Sequence, residues 1–417
     1  MEAIAAAHSH GGAAASSADM AANESSPRLL SQVHKLIIPP IPCSFPWKNH
    51  PDYKQLTVMS DAWVLAQFSN MHGAHGRPSS FSADHLINSA FHQVATLAFS
   101  NGLSPRMPPI IKMMDWFFMI DNILDDPQEM GADLARADHL VDNVLTVFLG
   151  TYQHPSSSPS APLVSIITEC AAEWWAEMCQ GMPPKLKARL SKAFCDYLEA
   201  NRQQVPFRNS RHLPDVETYL KIRADSIGWR PCAVVIEHAQ AFELDDEALS
   251  HPLLIALHEA TVQHITLVND ITSFKKEYMQ GDFCNMVFIL YFKKLYDSER
   301  VEAGRPEPTL QGAVLEVVKM IKERDDECVR LMREIGKCEK LMGKDGMVQY
   351  LEGLGLCMSG NLYWHLVSDR YGICATTDIH VTPPDMLAHH HLIINANQEA
   401  SHIVPCGVMS DASIAPS

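Results

Sequence analysis

The chain has 417 residues, 47% hydrophobic and 20% charged, with 33 basic side chains against 49 acidic ones and a net charge of −16. This is the composition of a soluble globular protein with enough chain for a large core, and the acidic balance argues against nucleic acid or an anionic membrane as its main partner. A polyanionic substrate would therefore need positive charge supplied locally, and bound metal ions are one source of it.

The eleven cysteines are scattered, with no C-x-x-C pair, and read as reduced thiols rather than a disulfide framework. No run of about 18 apolar residues occurs, so no transmembrane helix is expected. The Ala-, Ser- and His-rich start carries Glu2, Asp19 and Glu24 and lacks a basic region. It therefore fits neither a secretory signal nor a transit peptide, and a cytoplasmic location follows by default. Residues 1–34 and 376–417 read as disordered tails, small and polar without sustained periodicity. The run His389-His390-His391 falls in the second.

Between the tails the apolar spacing is helical. In chain order the pattern predicts helices over 83–100, 109–125, 162–181, 214–242, 246–280, 309–337 and 345–372. Breakers lie between them or at their edges: Pro105, Pro108, the Ser/Pro-rich 155–162, Pro206, Pro214, and Gly304 to Pro308. No repeat of 20–50 residues is present, which disfavours a solenoid. The expectation is one all-α domain of about ten or more helices over 35–375, with no linker to divide it.

Two stretches carry chemistry. The first reads Asp115-Trp116-Phe117-Phe118-Met119-Ile120-Asp121-Asn122-Ile123-Leu124-Asp125-Asp126. On a helix, Asp121 and Asp125 stack one turn apart, about 6 Å from each other. Two carboxylates this close in an apolar run need a counterion. Magnesium suits them, taking one or two carboxylates and completing its shell with water and phosphate. The same pattern also fits an amphipathic helix whose acidic end faces solvent.

In the second stretch Asn269, Ser273 and Glu277 step by four and line one helix face. Together they offer a carbonyl, a hydroxyl and a carboxylate, a hard-oxygen half-shell of low charge that leaves room for phosphate. Lys276 sits beside them, suited to an anionic oxygen. An exposed polar helix face would look alike.

Taken together, the two stretches resemble the metal motifs of the microbial class I terpene synthases, in particular the fungal sesquiterpene synthases. Three further features agree with that family. Arg223 stands where the family has an arginine that senses diphosphate, upstream of the break at Ile227 and Gly228. Arg370-Tyr371 matches an Arg-Tyr pair late in the last helix, and Trp364 matches an aromatic residue six positions earlier. The match covers about 35–375.

The resemblance implies a single-domain class I terpenoid synthase bundle around a central cavity. It implies that Asp121 and Asp125, with Asn269, Ser273 and Glu277, hold Mg²⁺, usually three ions. Asn122 departs from the acidic residue common in relatives, so a register through Asn122 and Asp126 stays open. Arg223, Lys276, Arg370 and Tyr371 are implied to bind the diphosphate, and the break at Ile227 and Gly228 to move backbone groups toward it. Phe118 and Trp364, with Phe91 and Phe117 as weaker candidates, would face the cation. The implied reaction ionises farnesyl diphosphate and cyclises the carbocation to a sesquiterpene. A chain-elongating prenyltransferase is the nearest alternative. It would need a second Asp-rich motif where Asn269, Ser273 and Glu277 stand. A non-catalytic helical scaffold would leave the coexistence of these features unexplained. The expected partner is a small prenyl diphosphate, with the protein a monomer or homodimer.

Overall fold

The computed structural model describes residues 34–71, 87–125, 130–131, 133–154, 162–210, 212–280, 282–297, 303–368, 370–371, 378–381 and 393–394. A strap begins with strand β1 (His34–Ile37) and leads to α1 (Tyr53–Met71) and α2 (Phe91–Ala98). Next come α3 (Met107–Asp125), α4 (Leu134–Phe148), α5 (Pro162–Met178) and α6 (Pro184–Ser210). After strand β2 (His212–Leu213) follow α7 (Val216–Ser226), α8 (Trp229–Gln240) and the single turn α9 (Asp246–Leu249). The chain then forms α10 (Pro252–Gln280), α11 (Met286–Leu295), α12 (Leu310–Ile335), the short α13 (Glu339–Met342) and α14 (Met347–Val367). Strands β3 (Asp378–Val381) and β4 (Ile393–Ile394) come last. The expected all-α architecture is the one found, and no described helix is long and apolar enough to cross a membrane.

Several starts are written in proline. Pro162, Pro184 and Pro252 open their helices, and Pro108 and Pro109 sit in the first turn of α3. Proline loses nothing there, because the first N–H groups of a helix have no internal partner. Pro108, expected at the edge of a helix, stands in the first turn of α3. Pro206 is a correction, since α6 runs through it to Ser210. The helix there gives up one i→i−4 bond without ending. The predicted 246–280 helix divides before Pro252, which cannot donate to a preceding turn.

α12 shows the commoner logic. Leu310, Ala313, Val314, Val317, Ile321, Cys328, Leu331 and Ile335 fall on one buried stripe, and Thr309 caps the start by accepting from the Gly312 N–H at 3.0 Å. This stripe packs on α10, the most extensive helix pair among the described residues. α3 is buried nearly all round and lies between α2 and α5, while α14 packs on α2 and α10. Behind α3 an aromatic block forms, with Phe148 and Phe194 stacked at 4.6 Å and Trp116 and Trp174 at 5.5 Å. Each such pair adds about 0.5–1.5 kcal/mol beyond buried area. Lys112 binds Glu173 and Glu177 of α5, each at 2.7 Å, and fixes α3 from the same side.

The segment 376–417, expected as an unstructured tail, contains two short pairings. β3 runs antiparallel to β1, and β4 parallel to β2. The remainder of it, His389 to His391 included, lies outside the described residues. Nine cysteines lie among the described residues, all of them free thiols.

Candidate functional site

A cavity of about 1110 Å³, its open mouth included, lies between α2, α3, α6, the α7–α8 break, α10 and the end of α14. Asp121, Asp125, Arg223, Asn269, Ser273, Lys276, Glu277, Arg370 and Tyr371 all line it. The two sequence stretches, more than 140 positions apart, therefore meet at one place. Asp126 lies outside the described residues.

Arg370 lines the cavity with its side chain 2% exposed. Its Nη2 donates to Asp121 Oδ2 at 2.9 Å, its Nη1 to Asn122 Oδ1 at 2.8 Å and its Nε to the Tyr371 hydroxyl at 3.3 Å. The guanidinium also lies over the rings of Phe118 at 5.1 Å and Phe91 at 5.3 Å. The pair does not sit late in the last helix, as its sequence context suggests. α14 stops at Val367, Ser368 is extended, and Arg370-Tyr371 follow in a turn. Ser368 Oγ makes that turn by accepting from the Arg370 N–H at 3.1 Å and donating to the Ser89 carbonyl at 3.0 Å.

Asn269 joins three elements. Its Oδ1 accepts from Arg223 Nη2 at 2.9 Å, while its Nδ2 donates to His365 Nε2 at 3.2 Å and faces the Tyr371 hydroxyl at 3.5 Å. His365 Nδ1 donates to the Asn361 carbonyl at 2.7 Å, which leaves Nε2 as the acceptor. Burial holds this imidazole neutral, with its pKa down at about 4. Asp270, the next residue, also lines the cavity and is held from α7 and α11. It accepts from the Tyr219 hydroxyl at 2.8 Å and the Met286 N–H at 3.1 Å, and pairs with Arg223 at 3.7 Å. Asn285 then ties this helix to α11. Its Nδ2 donates to the Asp270 carbonyl and to Glu277 Oε2, each at 2.8 Å, and its Oδ1 caps α11 through the Val287 N–H at 2.9 Å.

The electrostatics are those of a site short of positive charge. Burial and the neighbouring Asp125 raise Asp121 to about 6, against the pull of Arg370 and Lys276. Burial, with Asp282 and Asp270, raises Glu277 to about 8. Burial also lowers Lys276. Ser273 Oγ is buried beside Glu277, and Arg223 Nε is buried without a hydrogen-bond partner. Crowded carboxylates, a buried hydroxyl and an amide oxygen are all-oxygen donors of the kind a hard divalent cation takes, so the residues fit a Mg²⁺ ion. A cation there would return the carboxylates to their ionised form.

The break is where the sequence places it. α7 ends at Ser226, Gly228 adopts φ +75°, and α8 starts at Trp229. A Cβ on Gly228 would stand 3.3 Å from the Phe117 ring. Asn201 Nδ2 donates to the freed Ser226 carbonyl at 3.3 Å, and Gln204 Nε2 bonds the Ser226 hydroxyl.

The aromatic assignments change. Phe118 and Phe117 line the cavity, but Trp364 and Phe91 do not. Trp364 is fully buried, its Nε1 donating to the Ser89 and Ala90 carbonyls at 3.2 and 3.1 Å. It packs α14 on α2 and supports Phe118 from behind at 4.8 Å, where Phe91 also stacks at 4.4 Å. Sequence reading missed His365, Asn285, Asp282, Tyr197 and Gln204. His365 lies one turn past Asn361 on α14, a weak signal. The others carry none, because each reaches the cavity or its supports only through tertiary packing.

Comparison with known proteins gives the family and the fold. Residues 112–326, more than half of the chain, match the family model described as terpene synthase family 2, C-terminal metal binding. Microbial Terpene synthase-like protein 13 of Selaginella moellendorffii is 25% identical over 80% of this chain and 86% of its own length. Sesquiterpene synthase 1 of Postia placenta is 25% identical over 81% and 90%. Among solved structures, germacradien-4-ol synthase from Streptomyces citricolor superposes with a TM-score of 0.63 at 17% identity. It covers 78% of this chain and 97% of that one. The chain belongs to terpene synthase family 2, a family of metal-binding terpene synthases.

Proposed function

We propose that this terpene synthase ionises farnesyl diphosphate and cyclises the resulting carbocation to a sesquiterpene, releasing diphosphate. Asp121 and Asp125 from one side, and Asn269, Ser273 and Glu277 from the other, would hold three Mg²⁺. When bound, Mg²⁺ supplies positive charge to the leaving diphosphate oxygens.

The observation that carries this reading is the polarity of the cavity. Arg370 is linked to Asp121, Arg223 to Asn269, and Lys276 acts on Asp121, so cations and oxygen donors are grouped, while Met114, Phe117, Phe118, Ile227 and Ile265 are among the walls. Charged donors at the mouth stabilise negative charge as the C–O bond breaks. Apolar and aromatic walls exclude water and face the cation without attacking it. Arg370 offers a planar fork that a phosphate can take over from Asp121 and Asn122. Arg223 reaches the mouth with its side chain, while its carbonyl accepts the Ile227 N–H at 3.0 Å. A pull on this guanidinium is therefore felt one turn later, at the break. Sesquiterpene synthases among the similar proteins support the choice of farnesyl diphosphate.

The test is incubation of the full chain with Mg²⁺ and geranyl, farnesyl or geranylgeranyl diphosphate, followed by volatile analysis. A sesquiterpene from farnesyl diphosphate is expected. Products from another chain length alone would overturn the substrate. Longer diphosphates alone, on adding isopentenyl diphosphate, would favour a prenyltransferase.

A further inference from the structure

The N-terminal strap crosses α10 and α12 at residues that do not line the cavity. Gln311 binds both backbone groups of Ile37 at 2.8 Å, and farther along Ser359 Oγ donates to the Pro46 carbonyl at 3.0 Å. Between these ties the strap brings Cys43 to two buried polar groups, His264 of α10 and Asp325 of α12. One ligand atom of each residue lies within 4.8 Å of the other two.

Hydrogen bonding within the strap explains part of this cluster and leaves a remainder. Asp325 interrupts the apolar stripe of α12 and is 2% exposed. Its two oxygens each accept one bond from Ser44, from the N–H at 2.8 Å and the hydroxyl at 2.7 Å. An ionised carboxylate has about four acceptor positions, so capacity remains. His264 is fully buried. Its Nε2 is 3.1 Å from the Pro42 carbonyl, which fixes the proton on Nε2. Nδ1 is then a bare lone pair, and it has no partner. A ligating histidine normally has this arrangement, with the second nitrogen donating to a carbonyl or carboxylate.

We propose that Cys43, His264 and Asp325 form a second metal site, for zinc, which fastens the N-terminal strap to α10 and α12. The donor set selects the ion. A thiolate with an imidazole suits Zn²⁺, whereas Mg²⁺ requires oxygen ligands throughout. Three protein ligands leave a fourth, tetrahedral position for water, and Cys43 is only half-buried. Zinc ligands stand about 2.0–2.3 Å from the ion, so the three atoms must draw together on binding. Cys43 lies on irregular backbone and can make that movement, with its thiol proton passing to solvent. The site is separate from the mouth of the cavity. His264 precedes Asn269 by five residues, about 140° around α10.

The test uses metal-stripped, reduced full-length protein titrated with Co²⁺ in excess Mg²⁺, which keeps the all-oxygen site occupied. One equivalent of cobalt should produce thiolate-to-cobalt charge-transfer absorption in the near ultraviolet. Zinc should bleach it and raise the melting temperature. Cys43→Ser and His264→Gln should lose the cobalt band and the zinc-dependent stabilisation, while Cys328→Ser keeps both. No charge-transfer band in the wild-type protein would overturn the proposal, as would a band that survives Cys43→Ser.

Discussion

Arg370 donates to Asp121 Oδ2 at 2.9 Å across 249 positions of chain. The guanidinium after the last described helix and the Asp121 carboxylate of α3 are thus partners before any substrate is considered. On the proposed reading, diphosphate competes with Asp121 for Arg370, and a cation on Asp121 favours the exchange. Metal and diphosphate are therefore expected to bind with positive cooperativity. Arg370→Lys keeps one charge and loses the fork to Asp121 and Asn122. Turnover should fall by about 10²-fold, with helical circular dichroism unchanged. Wild-type kinetics in this variant would show that the fork is not used.

Removing a metal-side residue should be as costly. Asp121→Ala and Asn269→Ala are each expected to lower turnover by roughly 10²–10³-fold without loss of helicity. Asn269→Ala also frees Arg223 and His365, so its Michaelis constant should rise as well. Steady-state kinetics beside circular dichroism decides this, and full activity in either variant would remove that residue from the metal set.

Chelation gives an independent check. EDTA should stop turnover completely, and added Mg²⁺ should restore it. Activity that persists in chelator would contradict the role given to the Asp121 and Asn269 stretches.

Two glycines separate strain at the site from strain elsewhere. Gly228→Ala forces φ +75° on a residue with a Cβ, at about 1–2 kcal/mol, and presses that Cβ on Phe117 at 3.3 Å. Gly346→Ala has the same backbone problem at φ +76° and a Cβ 2.2 Å from Phe242. Gly346→Ala should be the less stable variant, yet Gly228→Ala should lose more activity at a temperature where both are folded. Melting curves and turnover measured together test the contrast.

Asp115 should make stability depend on pH. It is fully buried, accepts from the Ser60 hydroxyl at 2.7 Å, and burial raises it from 3.8 to about 8, with Asp61 adding to the shift. A raised folded pKa means that the native state binds the extra proton. This contribution is fully present below about pH 4 and is lost as pH rises toward about 8. Asp115→Asn should flatten stability over that window and gain most at its alkaline end. Parallel denaturation curves for the two proteins at every pH would refute the assignment.

Much of the site was legible because it is periodic. Asn269, Ser273 and Glu277 share a helix face by spacing alone, and Gly228 marks a break by chemistry. The Arg370-Tyr371 turn was not legible, because it depends on Ser368 reaching Ser89, far away in sequence. Trp364 was misplaced for a related reason. An aromatic residue on a helical stripe looks the same whether it lines a cavity or stands one layer behind it. Pro206 shows the opposite failure, a strong local signal overridden where α6 continues to Ser210.

Phe118 belongs to two tasks at once. One face of its neighbourhood is cavity wall, while the Arg370 guanidinium lies 5.1 Å from its ring. A substitution selected to reshape the hydrocarbon product would therefore also disturb Arg370, the group proposed to hold the leaving diphosphate. A change at position 118 should then cost rate as well as alter product. Product diversification in this lineage should consequently run through other wall residues, such as Val94, Met114 and Ile265.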